Sequence, residues 1–235
     1  MFMNLAHRGA SEYAPENTLA AFYKGLEMGA NGLETDLRPT KDGYIALQHD
    51  QRVDRNTDGT GDLSAYTWQE ASRLDAGSSF SAAYRGEPLV LLDTFLQQFA
   101  RRPVLLAIEL KETGMEQALA ARIKEWNLYA RATVTSFDPD ALTRMRKADE
   151  QVRLGYLTKQ WDEPTRQLLR QVRAVQYCPN ASIVTRELVQ EAEQFGCEVR
   201  AWGIRNDIHM KDCLEAGVVG MTVNAPDRLA ALLAK

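Results

Sequence analysis

The chain is short of the residues that announce several common chemistries. It holds three cysteines, Cys178, Cys197 and Cys213, with no CxxC spacing among them. An odd, scattered set argues against a disulfide framework and a thiolate zinc site, and fits a reducing compartment. No apolar run approaches the roughly 18 residues that a membrane span requires. The opening MFMNLAHRGA lacks the basic and apolar regions of a secretory leader. The expectation is a cytoplasmic protein without stable membrane insertion. A basic surplus is also missing: 28 Lys and Arg stand against 32 Asp and Glu, for a net charge of -4. That balance disfavours nucleic acid as a partner, so an anionic ligand must be attracted by a local field. Neither GxGxxG nor GxxxxGK[ST] occurs, which removes the usual nucleotide-binding loops. Histidine is scarce too, at three residues, His7, His49 and His209.

What is present is a regular alternation. Short β-rich runs fall at residues 2–7, 32–37, 104–110, 132–137, 153–158, 174–178, 198–204 and 220–224. Between them lie segments of helical period, such as MEQALAARIKEWN and TRELVQEAEQFG, several opening at Pro, Asp or Thr and closing at Gly. Strand and helix in strict alternation imply right-handed crossovers and a parallel sheet. Eight such units in 235 residues point to an α/β fold, a single (β/α)8 TIM-type barrel domain spanning residues 1–235. YIALQHD (44–50) reads as an extra extended piece of the second unit. Residues 51–90 are polar and rich in Gly and Ser, and read as a small insertion after the second unit's strands, over the C-terminal mouth.

The polar residues at the strand ends carry the chemistry. In GLETDL, Glu34 and Asp36 are two apart and share one face of a strand, leaving Leu33 and Leu37 for the other. Glu109 and Lys111 repeat that spacing in AIELK. Carboxylates gathered in a partly dry mouth repel unless protonated or bridged by a cation. An all-oxygen set favours a hard divalent ion, Mg2+ or Ca2+. His7 and His49 end apolar runs and flank this group, placed to divide the work of general acid and base. Arg8 offers a forked donor and Lys111 a point charge for a phosphate. In APENTLAAF, residues 15–18 suit a helix start, with Glu16 read as a capping residue and Asn17 also able to reach the phosphate or metal shell. His209, within a helical pattern, is read as structural.

HRGASEYAPENTLAAF, GLETDLRPTKDGYIALQHDQRVDRNTDGTG, AIELK, TSFD, VRAWGIRN and GMTVNAPDRL together resemble the successive motifs of the glycerophosphodiester phosphodiesterase family. The likeness runs through nearly the whole chain. It implies a barrel that hydrolyses glycerophosphodiesters, small-molecule substrates, to sn-glycerol 3-phosphate and an alcohol with the help of a metal. It implies the same assignments: Glu34, Asp36 and Glu109 as metal ligands, His7 and His49 as the acid–base pair, Arg8 and Lys111 on the phosphate. Trp202 matches a family aromatic at the end of the seventh strand and would wall the substrate pocket. Arg55 and Thr57 fall in a DRTT-like stretch that Asn56 interrupts. The departures come late, at Val219 in GVVGM and Asn224 in VNAPD. Two rival readings remain at this level: a lipid-directed barrel phosphodiesterase, disfavoured by the lack of an amphipathic anchor, and an aldolase-like lyase using Lys111 as a Schiff base. The oligomeric state, the alcohol moiety and which histidine is the acid are left open by the residues.

Overall fold

The alternation becomes a closed ring in the computed structural model, which describes residues 1–234. The strands are β1 (Met3–His7), β2 (Gly32–Pro39), β3 (Ile45–Leu47), β4 (Leu105–Leu110), β5 (Ala132–Ser136), β6 (Arg153–Thr158), β7 (Gln176–Pro179), β8 (Glu198–Ala201) and β9 (Gly220–Val223). They are ordered β1-β9-β8-β7-β6-β5-β4-β2-β3, and the additional β1–β2 pairing shuts the barrel. All barrel pairings are parallel; β3 alone runs antiparallel, on β2.

The helices are α1 (Leu19–Glu27), α2 (Trp68–Ala71), α3 (Leu92–Phe99), α4 (Glu116–Glu125), α5 (Pro139–Ala148), α6 (Glu163–Gln171), α7 (Arg186–Gln194), α8 (Asp207–Ala216) and α9 (Pro226–Leu233). Their ends follow local chemistry. Asp138 caps α5 ahead of Pro139, Thr185 caps α7, and Gly217 closes α8 in the left-handed region. The outward face of β2 shows how ring and helices bind. Leu33 and Leu37 are fully buried against a layer that includes Phe22 of α1 and Phe95 and Phe99 of α3. Those rings pack edge-on or tilted, 4.8–5.8 Å between centroids. With the apolar side chains turned outward, alternation turns Glu34 and Asp36 inward.

The segment around 44–50 is extended only at Ile45–Leu47, and its direction is the informative point. Leu37 pairs with Leu110 of β4 on one side and with Leu47 of β3 on the other, beyond the point where β1 has ended at His7. The reversed strand thus carries His49 into the mouth. The insertion holds two 3-10 turns and α2, and buries a small apolar group of its own, Val53, Leu63, Ala71, Ala76 and Leu89, on Ala46. It leans on the loop after β1 and on the first turn of α1: Tyr84 donates to the Tyr13 carbonyl at 3.1 Å, and Glu87 accepts from the Ala20 amide at 3.2 Å.

Candidate active site at the barrel mouth

Register brings the polar residues together. His7 lies beside Glu34 across the β1–β2 pair, and Asp36 beside Glu109 across β2–β4. The result is a buried trio, Glu34, Asp36 and Glu109, whose ligand atoms all lie within 4.8 Å of one another. Asp36 is fully buried, and its Oδ1 accepts no hydrogen bond. Such a carboxylate oxygen is costly to leave alone, and its position among two further carboxylates suits a cation. Burial, reinforced by the charges of Asp36 and Glu109, raises Glu34 well above the ordinary carboxylate range. Burial and then Asp36 push Glu109 up to about 7, with Lys111 opposing. Burial would raise Asp36 too, but Arg8 and Lys111 outweigh it and hold the group below its usual value. The donor set, all oxygen and partly protonated without a cation, fits a hard divalent ion.

The bend after β1 explains the opening motif. Arg8 and Asn17, neither of them glycine, adopt left-handed φ of 55° and 57°, a conformation that their contacts with the buried carboxylates must hold. Gly9 is required: its φ is +83°, and a Cβ there would lie 2.4 Å from the Ala21 carbonyl carbon in α1. This turn aims the Arg8 amide at Glu34 Oε2 (3.0 Å) and the Arg8 guanidinium at Asp36 Oδ2 (3.1 Å) and Glu16 Oε1 (3.1 Å). Asn17 is buried and donates to Asp36 Oδ2 at 3.0 Å while accepting from Thr35 Oγ1 at 2.8 Å. It therefore orients a carboxylate of the trio. The helix starts within the expected 15–18 segment, but its cap is Thr18, which accepts from the Ala21 amide at 3.2 Å, whereas Glu16 instead forms ion pairs with Arg8 and Arg55. The reason is electrostatic, since the two arginines offer Glu16 more than free backbone amides do.

Each histidine is held by its Nδ1. His7 donates to Asn224 Oδ1 at 2.6 Å, and His49 to Asp50 Oδ1 at 2.6 Å. With Nδ1 carrying the proton, Nε2 is the free nitrogen of both rings, and both rings line the same cavity of about 310 Å3. About a third of each side chain is open to it (31% and 32%), and protein atoms crowd the remainder. Burial first, then Arg8, depresses His7 to about 4. Burial also lowers His49, against the pull of Asp36. His209 lies on α8, where its amide donates to the capping Asn206.

Lys111 reaches Glu109 Oε1 at 2.7 Å and Asp36 Oδ1 at 3.7 Å. Tied to two carboxylates, Lys111 Nζ is not poised to attack a carbonyl carbon, which tells against the lyase reading. Trp202 follows β8, the seventh strand of the ring; its indole donates to the Cys178 carbonyl at 3.0 Å, and it meets Phe137 edge to face at 4.8 Å on the cavity wall. Several neighbours escaped the sequence reading. Asn224 was singled out only as a departure from a motif, although it is the residue that orients His7. Arg200, 1% exposed, lies beneath the cavity on β8 and bonds Gln176 and Thr222. Its position two residues before Trp202 was the available signal, because strand parity turns it to the same interior.

Fold and geometry together define a class: a (β/α)8 barrel with an acid-lined, histidine-flanked cavity at the C-terminal ends of its strands. A profile of the glycerophosphoryl diester phosphodiesterase family matches residues 7–228. A glycerophosphodiester phosphodiesterase of Caldanaerobacter subterraneus subsp. tengcongensis is 33% identical over 237 residues, covering 98% of this chain and 97% of its own. Among solved structures, a glycerophosphodiester phosphodiesterase from Agrobacterium tumefaciens superposes with a TM-score of 0.90 at 25% identity, covering 98% of this chain and all (100%) of that one. An Oleispira antarctica phosphodiesterase in complex with the product sn-glycerol-3-phosphate gives 0.89 at 24% identity, over 98% and 96% of the two chains. The chain belongs to the glycerophosphoryl diester phosphodiesterase family, and is with it a phosphoric diester hydrolase. None of its described helices is long and apolar enough to cross a membrane.

Proposed function

We propose that this protein hydrolyses small glycerophosphodiesters to sn-glycerol 3-phosphate and an alcohol, with a divalent cation held by Glu34, Asp36 and Glu109 and with His7 and His49 exchanging protons. The observation that carries the reading is the buried trio with two imidazoles opening on one cavity. The Oleispira antarctica complex supports the product class.

The roles follow from the contacts. A cation, Mg2+ or Ca2+, would neutralise charge on the phosphoryl oxygens and favour an attacking oxygen. Arg8, already fixed by Glu16 and Asp36, presents its fork at the cavity beside Lys111, so a phosphodiester meets positive charge within an acidic protein. Asn17 keeps Asp36 in place. One Nε2 removes a proton from the nucleophile and the other delivers one to the leaving oxygen. Trp202 and Phe137 form a wall against an organic arm of the substrate. The free, buried cysteines support a reducing compartment, the cytoplasm.

The test is release of glycerol 3-phosphate from glycerophosphocholine by the purified protein, with EDTA and then with Mg2+ or Ca2+ restored. Loss and recovery are expected. Hydrolysis that survives chelation removes the metal assignment. Phosphorus NMR of the first product separates attack by water from attack by the substrate's own hydroxyl, which passes through a cyclic phosphate.

A further inference from the structure

We propose that Arg55, carried by the insertion, is a positioning residue that holds the two working halves of the site in register, His49 through Asp50 and Arg8 through Glu16. The inference rests on the phosphodiesterase reading above.

The geometry is a single planar clamp. Arg55 Nε donates to Asp50 Oδ2 at 2.5 Å, and its two terminal nitrogens donate to the Glu16 carboxylate at 2.8 and 2.7 Å. The far oxygen of Asp50 accepts from His49 Nδ1, and Glu16 Oε1 also accepts from Arg8, which continues to Asp36. One rigid guanidinium therefore fixes the separation between an acid–base ring and the phosphate-facing cation. Only arginine offers three coplanar N–H groups in this arrangement, and lysine cannot replace it.

The insertion is built to deliver that group. Thr57 Oγ1 donates to the Val53 carbonyl at 2.7 Å and accepts from the Gly59 amide at 3.0 Å, closing a turn beneath Arg55. Asn56 is buried and exchanges two hydrogen bonds with Gln48, at 2.8 and 2.9 Å, one residue before His49. The turn and the strand that carries His49 are thus tied together from below. Arg55 itself is half exposed, at 49%, whereas its partner Glu16 is largely enclosed, at 16%, so loss of the arginine carries some cost in stability. Its loss is expected to lower the melting temperature modestly and to disturb catalysis at temperatures where the variant stays fully folded, which a purely structural role would not do.

A double-mutant cycle separates the possibilities. Asp50→Asn and Glu16→Gln, alone and together, are measured for kcat/KM on glycerophosphocholine with Mg2+ present, first beside Arg55 and then beside Arg55→Met. Arg55→Met alone is expected to cost about tenfold or more, as loss of an orienting partner does; Arg55→Lys recovers little of it. Beside Arg55 the combined loss should fall short of the product of the single losses, and in Arg55→Met the two should multiply. A second readout needs no activity: the imidazole nitrogen NMR signals of His49, which show one tautomer with Arg55 and a mixture without it. Wild-type kcat/KM in Arg55→Met, or multiplicative losses in both backgrounds, overturns the clamp. If the wild-type protein hydrolyses no glycerophosphodiester, the functional reading fails, and an unchanged His49 tautomer in Arg55→Met then overturns the clamp separately.

Discussion

His7 and His49 face one cavity, yet they are anchored to unlike partners. His7 takes a neutral amide, Asn224, from a residue 217 positions away, whereas His49 takes a carboxylate, Asp50, from the adjacent position. Both partners fix the Nδ1–H tautomer and so expose Nε2. Both also favour a positive ring, the Asn224 carbonyl as a neutral acceptor and the carboxylate with a full opposite charge. Asp50 itself is held to about 2, since hydrogen bonds from Arg55 and His49 overcome the effect of burial, so it stays ionised throughout the useful range. The two histidines thus share one orientation device but differ in the charge of the partner that supplies it.

The contrast breaks most severely if a ring is removed. His7→Ala and His49→Ala are each expected to lower kcat on glycerophosphocholine on the order of 100-fold or more, and a variant that keeps its turnover is no acid or base. Making the two anchors alike comes next. Asp50→Asn leaves an amide on both rings and should cost on the order of tenfold in kcat, read with KM to exclude a binding loss. The reverse exchange, Asn224→Asp, should raise the His7 pKa by about one unit, followed by NMR titration of the protein without cation. The sign for stability is fixed. The folded pKa of about 4 lies below the ordinary 6.5, so in that window the unfolded chain binds more protons and stability falls with acidification. Asn224→Asp narrows the window and lessens the loss, measurable as melting temperature against pH. Trp202→Phe should bring the smallest change, a few-fold rise in KM with kcat nearly kept, because a wall residue binds ground and transition states alike.

Much of the molecule was legible in the residues because the signals are local. The β2 pattern put Glu34 and Asp36 on one face and Leu33 and Leu37 on the other, and the structure separates them the same way. The same parity gathered Glu109 and Lys111 at the end of β4. What stayed hidden depends on partners distant in the chain. Glu16 looked like a cap because nothing nearby in sequence shows Arg55 arriving from 39 residues on. Asn224 looked like a lapse from a motif because its partner belongs to the first strand. Arg200 was missed because an arginine two residues before a tryptophan reads as exposed until closure of the ring makes that face interior.

The reversed strand β3 has a practical consequence for redesign. Leu47 is pinned to Leu37 on one side and donates its amide to the Val90 carbonyl on the other, so the chain leaves and re-enters the barrel at two nearly adjacent points. The segment between Gly59 and Leu89 is not separable from that doorway, because Leu63, Ala71, Ala76 and Leu89 pack with Val53 on Ala46. A redesigned insertion therefore has to keep an apolar plug against Ala46 and Val53 if residues 48–57 are to hold their place.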